Sequence, residues 1–315
     1  LTIHVVAIMG PTASGKAELA LATARATGAL LLSCDSMKVY RGMDVGTAKP
    51  PPSERAEWVG LDLVDPWERF DATRFRALFD EVLARAQAEG RPLILSGGTM
   101  LYLKAATEGL CEAPSRDEGV RRALTEEVER EGSAALHARL AVVDPATAAR
   151  LHPNDVRRVV RALEVHAVTG RPLSALHAET GGRLRDVRPD LRRSVFVVRR
   201  ERDDMDRRID VRVARMIEEG WVDECRRLLA DPRGVSTEAE QALGYRELFA
   251  WLRAGGGGAV PASLVAGVQT ATRRFARRQL TWLKHLEGAQ ALDVAPGART
   301  GDHVGALIEA VRRSA

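Results

Sequence analysis

An α/β fold, with a parallel sheet flanked by helices, is what this 315-residue chain predicts. Three observations carry that prediction. The first hundred residues alternate short apolar runs with stretches of helical periodicity, the pattern of a parallel sheet covered on both faces. The apolar run 3–8 leads into Gly10-Pro11-Thr12-Ala13-Ser14-Gly15-Lys16-Ala17 and then into a good helix former, 17–22. From about 115 to 180 the strand signal disappears and helical patterns take over, which marks an all-helical insertion.

Each element has its own reason. Strands are predicted at 3–8, 29–32, 61–64 and 93–95, where short apolar runs are bounded by turn residues. Between the last two, 71–89 places Phe75, Leu78, Phe79, Val82 and Leu83 on one helical face. Lys49-Pro50-Pro51-Pro52-Ser53 interrupts as a stiff loop, because proline fixes φ and removes a donor. Helices are predicted at 116–131, 133–141, 144–151 and 154–169, separated at Gly132, Asp144-Pro145, His152-Pro153 and Gly170. The polar, arginine-rich stretch 181–193 reads as a linker, and 194–198 as a strand that returns the chain to the sheet. The remainder is helical, broken at Gly220, at Asp231-Pro232 and by the glycines of 255–258. The chain thus divides into a core of 1–114 with 191–315, ending in a helical C-terminal region, and a helical insertion of 115–190.

Composition narrows the class. With 45% apolar and 29% charged residues, a core is easily filled, and no apolar run approaches the ~20 residues of a spanning helix. No charged segment followed by an apolar stretch and cleavage site is visible, so a cytoplasmic protein is expected. Cys34, Cys111 and Cys225 are odd in number and far apart, which argues against a disulfide framework or a zinc site. A pI of about 9.2 with a net charge of only +4 hints at an anionic partner. Nothing in the sequence demands a dimer, and a monomer is expected.

The spacing G-x-x-x-x-G-K makes 10–16 a P-loop, and its strand–loop–helix setting makes the sheet a P-loop-type sheet. Backbone N–H groups, a helix N-terminus and Lys16 converge there on a phosphate. Ala17 stands where a hydroxyl would help hold Mg²⁺. The loop alone leaves the phosphate ligand open. Asp35, after the second strand, faces the same crevice, because strand carboxyl ends in an open parallel sheet share one edge. It could bind Mg²⁺, take a proton or cap a helix. Ser96-Gly97-Gly98-Thr99, after the strand 93–95, lets the backbone approach a ligand, with the Thr99 hydroxyl as donor or acceptor.

Two basic segments point to RNA. Arg157 and Arg161 lie one helical turn apart, and 272–284 carries Arg273, Arg274, Arg277, Arg278 and Lys284 with no acid. The i,i+4 repulsion within the second segment would be offset by an anionic partner. Phe275 and Trp282, interleaved with these cations, are read as core-facing.

The blocks GPTASGK (10–16), DSMKVYRGMDVGTAKP (35–50), SGGTMLYLKA (96–105) and HPNDVRRVVRALEV (152–165) together resemble bacterial tRNA dimethylallyltransferases. LGYREL (243–248) and RRQLTWLKH (277–285) extend the resemblance over nearly the whole chain. That family transfers a prenyl group from dimethylallyl diphosphate to N6 of adenosine 37, beside the anticodon. The resemblance implies that Gly10 to Ala17 hold the diphosphate and that Lys16 stabilises it as it leaves. It implies Asp35 as general base, Thr99 as a positioning residue, and Arg212 as a second diphosphate clamp with Arg208 as its rival.

For the tRNA anticodon stem-loop, the resemblance implies contacts from Asp35, Ser36, Met37, Lys38, Thr99 and Arg121. Arg157, Arg158, Val159, Val160 and Arg161 in the insertion would add to these. So would Gln241, Ala242, Leu243, Gly244, Tyr245 and Arg246, and then Arg277, Arg278, Gln279, Leu280, Thr281, Trp282, Leu283 and Lys284. The chain departs from the family at Ala17, where Thr or Ser is usual, at Lys38, often Gln, and at Val59-Gly60, often His-His. Mg²⁺ is the implied cofactor, held largely by diphosphate and water, with its protein ligands left open and Asp35 a candidate. A small-molecule kinase or adenine-nucleotide prenyltransferase would share the loop but not the basic segments. An RNA-binding NTPase would want a hydroxyl after Lys16.

Overall fold

A computed structural model describes residues 3–110, 113–114, 116–179 and 191–312. They form two compact units, Leu1–Thr107 with Asp190–Ala315, and Glu108–Pro189. In chain order the first unit opens with β1 (Ile3–Met9), α1 (Lys16–Thr27), β2 (Leu30–Cys34), α2 (Pro52–Arg55) and β3 (Trp58–Val59). α3 (Ala72–Ala88), β4 (Leu93–Gly97) and α4 (Met100–Glu108) follow. The second unit contains α5 (Glu118–Glu131), α6 (Ser133–Val143), α7 (Pro145–Ala148), α8 (Val156–Thr169) and α9 (Leu173–Glu179). The chain returns as β5 (Leu191–Arg200), then α10 (Arg202–Glu218), α11 (Trp221–Ala230), α12 (Thr237–Glu240), α13 (Tyr245–Arg253) and α14 (Ala262–Leu283). β6 (Gln290–Val294), a 3₁₀ turn at Thr300–His303 and α15 (Val304–Arg312) complete it.

The six strands lie in the order β3-β2-β4-β1-β5-β6, and every pairing is parallel. Val5, Val6, Ala7, Ile8 and Met9 of β1 are all buried, as expected of a central parallel strand with helices on both faces. Val6 and Ile8 pack with Leu31, Ile94, Phe196 and Val198 of neighbouring strands, against Leu19 and Ala24 of α1 and Leu307 and Val311 of α15. α3 begins where Asp71 accepts the amide hydrogens of Thr73 and Arg74, both at 2.9 Å, and buries Phe75, Phe79, Val82 and Leu83.

Several expectations need correction. The run 61–64 is not a strand: Gly60 and Asp62 take φ of 89° and 53°, which breaks an extended backbone. The strand is Trp58–Val59 instead, and Val64 makes only an isolated bridge to Tyr40. The returning strand begins at Leu191, so 191–193 belong to β5; the rest of the expected linker, 181–190, lies outside the described residues. β6 and α9 were not expected from the sequence, and 144–151 forms only the short α7.

The helical unit has its own core. Leu124, Leu136, Leu140, Val159, Val160 and Leu163 pack together. Beside them Glu164 is fully buried, accepting two bonds from Arg121 at 2.9 Å, one from Arg161 at 2.7 Å and the Asp117 amide at 2.7 Å. No helix among the described residues is long and apolar enough to cross a membrane. Cys34 and Cys225 are buried free thiols; Cys111 lies outside the described residues.

Candidate functional site

Strand register assembles the site. Gly97 of β4 pairs with Met9 of β1 on one side and with Cys34 of β2 on the other, so three strands end level. The P-loop, the 97–99 turn and Asp35 therefore leave the sheet at one edge. Gly10 donates its amide hydrogen to the Gly97 carbonyl at 3.3 Å, and Thr99 donates to the Cys34 carbonyl at 3.2 Å. A Cβ on Gly97 would fall 1.9 Å from the Cys34 carbonyl oxygen, so glycine serves close strand packing there.

The P-loop turns through left-handed conformations at Ala13 (φ 64°) and Gly15 (φ 93°) before α1 starts at Lys16. Successive amides in such a turn make an anion-binding concavity. Lys16 donates to the Pro11 carbonyl at 3.1 Å. Ser14 Oγ is buried without a partner. Three arginines reach the loop. Arg200, at the end of β5 with its side chain 1% exposed, donates to the Ser14 carbonyl at 3.0 Å and to Thr300 Oγ1 at 3.2 Å while pairing with Asp204 at 3.0 Å. Arg208 donates to the Ala13 carbonyl at 3.0 Å, whereas Arg212 reaches Thr12 Oγ1 only at 3.4 Å. A good N–H···O bond is nearer 2.9 Å, which leaves the Arg212 guanidinium the less committed of the two.

Asp35 does not cap a helix. Its Oδ1 accepts the Met37 amide hydrogen at 2.9 Å, an Asx turn that presents residues 35–38 as a compact loop. Thr99 Oγ1 accepts the Ser36 amide hydrogen at 3.0 Å. Burial lowers the Lys16 ammonium to about 7; Lys38 and Arg212 add to that effect and Asp35 opposes it. Lys38 and Arg212 are also shifted down, chiefly by burial. Lys16, Lys38 and Arg212 act together on the side of Asp35 that faces the loop, and an anionic ligand would relieve their mutual repulsion.

The expected RNA-facing residues divide. Arg277, Arg278, Thr281 and Trp282 on α14 and Lys284 at its C-terminal cap are exposed, while Gln279 and Leu283 point inward. Phe275 and Trp282 are 37% and 48% exposed, correcting the expectation that both face the core. The like charges along α14 are partly balanced within the molecule, because Arg273 pairs with Asp210 and Arg277 with Asp206, both on α10. In the helical unit Val159 and Val160 are core residues, Arg121 and Arg161 hold Glu164, and Arg157 and Arg158 are exposed. Ala242, Gly244 and Tyr245 are buried, and Gln241 and Arg246 are exposed. Tyr245 donates to Glu224 at 2.6 Å, and that carboxylate also accepts the amides of Asp44 and Val45 at 2.8 Å and of Gly46 at 3.3 Å.

Sequence reasoning missed Arg200 and Thr300 at the P-loop. Neither lies in a motif, and only the pairing of β5 beside β1 brings Arg200 there. Among the described residues no three His, Cys, Asp or Glu side chains gather into a set that could hold a metal ion.

Comparison with known proteins agrees with this architecture. The sequence model of the family described as IPP transferase matches residues 38–286. The tRNA dimethylallyltransferase of Geobacter sulfurreducens is 46% identical over 284 residues, covering 89% of this chain and 88% of that protein. The one from Symbiobacterium thermophilum is 43% identical over 304 residues, covering 95% and 92%. Among solved structures, the full-length tRNA isopentenylpyrophosphate transferase of Bacillus halodurans superposes with a TM-score of 0.69 at 31% identity, covering 99% of this chain and 96% of that one. A eukaryotic dimethylallyltransferase acting on tRNA shares the fold, with a TM-score of 0.74 at 24% identity over 93% of this chain and 74% of that one. On its family match and on identities above 40% across most of its length, this chain belongs to the IPP transferase family of tRNA-modifying prenyltransferases.

Proposed function

We propose that this tRNA prenyltransferase moves a dimethylallyl group from dimethylallyl diphosphate to N6 of adenosine 37 in the anticodon loop. The C–O bond to diphosphate breaks, the bond from that carbon to N6 forms, and Asp35 accepts the N6 proton. The level ends of β1, β4 and β2 support this reading most directly, because they bring a diphosphate seat and a carboxylate to one edge. Lys16 and the P-loop amides stabilise the charge that builds on the departing diphosphate, with Arg212 as the clamp free to turn toward it. Asp35 needs no unusual acidity, since the lone pair on an exocyclic adenine amine is delocalised and the base acts as the new bond forms.

The donor set fits a magnesium ion that arrives with the diphosphate. Ala17 lacks a hydroxyl, Asp35 is the carboxylate facing the loop, and Ser14 Oγ is a buried hydroxyl still without a partner. Mg²⁺ commonly keeps several waters and takes one or two carboxylates plus substrate phosphates. Bound so, it would neutralise charge on the leaving group.

The RNA would meet exposed cations. Among the described residues Arg274 and Arg278 of α14, Lys284 just after it, and Arg157 of the helical unit have no acidic partner. A target base in a loop is cheaper to extrude than one in a duplex, which suits the anticodon loop.

The test is incubation with labelled dimethylallyl diphosphate and either an anticodon stem-loop carrying adenosine 37 or free AMP. Label should enter the RNA with release of diphosphate. Folded protein that leaves the RNA unlabelled, or that labels AMP equally well, overturns the proposal.

A further inference from the structure

We infer that Gln279 is a positioning residue for prenyl transfer, setting the gap between the P-loop and the turn that supports Asp35. The inference rests on the roles proposed above for the P-loop and Asp35. Gln279 lies on the buried face of α14 and is 9% exposed. Its Oε1 accepts the Thr12 amide hydrogen at 2.9 Å, and its Nε2 donates to the Gly98 carbonyl at 3.0 Å. A Cβ on Gly98 would stand 2.4 Å from Nε2, so the glycine is what lets the amide in.

From Gly98 the connection continues without a break. The next residue, Thr99, accepts the Ser36 amide hydrogen at 3.0 Å, and Ser36 adjoins Asp35. One side-chain amide therefore spans from the loop expected to hold the leaving group to the turn that presents the base. Only an amide offers an acceptor and a donor side by side at the end of a chain this long. Glutamate would lose the donor, and methionine would lose both. The migrating carbon must pass from a diphosphate oxygen to N6, so the spacing of these two loops bears directly on the barrier. A misplacement of about 1 Å is enough to lower a rate ~100-fold.

This role differs from that of its neighbours. Arg278 and Thr281 are exposed on α14, whereas Gln279 faces the sheet edge. Binding of each ligand alone depends on one half of the site and should survive loss of the bridge. The chemical step depends on both halves together.

The experiment compares wild type with Gln279→Met, Gly98→Ala and the double variant. The readouts are single-turnover rate, affinity for inorganic diphosphate, affinity for the anticodon stem-loop and melting temperature. Gln279→Met is expected to slow the chemical step about 10- to 100-fold with both affinities retained. Gly98→Ala should do the same by displacing an intact Gln279, which keeps the test open if the methionine variant folds poorly. Because both changes break one bridge, the double variant should be no slower than the slower single variant. Single-turnover rates within about twofold of wild type, additive losses, or losses confined to binding or melting temperature would overturn the inference. Wild type that fails to prenylate RNA in the same assay refutes the roles of the P-loop and Asp35. Active wild type with unaffected variants removes Gln279 alone.

Discussion

Thr99 Oγ1 accepts the Ser36 amide hydrogen at 3.0 Å, tying the end of β4 to the turn that presents Asp35. Valine at 99 keeps the shape and deletes the acceptor, leaving a half-buried amide unpaired at a cost of about 1–3 kcal/mol. Thr99→Val should lower kcat about 10- to 100-fold through a shift of the turn. Thr99→Ser should restore most of it. Equal rates for valine and threonine in a steady-state assay would show that the hydroxyl does not position the base.

Asp35→Asn separates base from scaffold. Asparagine Oδ1 can still accept the Met37 amide hydrogen, as Asp35 does at 2.9 Å, so the Asx turn should persist. Loss of a general base typically lowers a rate by about 10²–10⁴. Transfer should fall in that range while stem-loop affinity, read by filter binding, stays at the wild-type value. Parallel loss of binding would assign Asp35 to RNA placement instead.

Lys16 should make diphosphate binding pH-dependent. Its ammonium is lowered to about 7 in the free protein, chiefly by burial. An adjacent anion favours the charged form, so binding raises that value. Above about pH 7 binding must therefore take up a proton, and affinity falls as pH rises; well below 7 Lys16 is charged in both states and this dependence vanishes. Calorimetry of inorganic diphosphate in buffers of different ionisation enthalpy should show this uptake. Lys16→Arg, charged throughout, should take up fewer protons on binding than wild type; identical proton uptake in the two proteins would exclude Lys16 as a source.

Glu164 holds the helical unit together from inside. Its carboxylate is completely buried, and its bonds to Arg121 and Arg161 hold it below the usual carboxylate range, although burial acts the other way. Replacing it by alanine strands two arginines and should destabilise the unit by on the order of 3 kcal/mol. Because the folded-state value is depressed, the pair's contribution is fully present above the unfolded glutamate pKa and is lost as pH falls through the folded one. All five tryptophans lie in the other unit, so circular dichroism rather than tryptophan emission should follow this change. Unaltered helix melting in Glu164→Ala would refute the prediction.

Local chemistry made much of the fold legible. β1, the P-loop and α1 are adjacent in sequence, and the apolar run, the paired glycines and the helix former each specify their own geometry. α3 was equally plain, since its apolar face repeats at helical spacing within one stretch. β6 was not, because Gln290-Ala291-Leu292-Asp293-Val294 buries only Leu292 and Val294 and is a strand only where β5 pairs with it. The run 61–64 misled for the opposite reason, being apolar enough for a strand but turned by Gly60 and Asp62.

The same division holds at the site. The sequence by itself determined the residue types, their motifs and the P-loop-type α/β fold, because these depend on spacing along the chain. Tertiary structure alone decided which side of α14 each residue occupies. It turned Gln279 toward Thr12 and Gly98 and left Arg278 and Trp282 exposed. It also gave Arg121 and Arg161 a buried carboxylate and brought Arg200 to the P-loop across 186 residues of sequence. A charged side chain is used by whatever lies nearest in space, and for these residues the nearest group is far away along the chain.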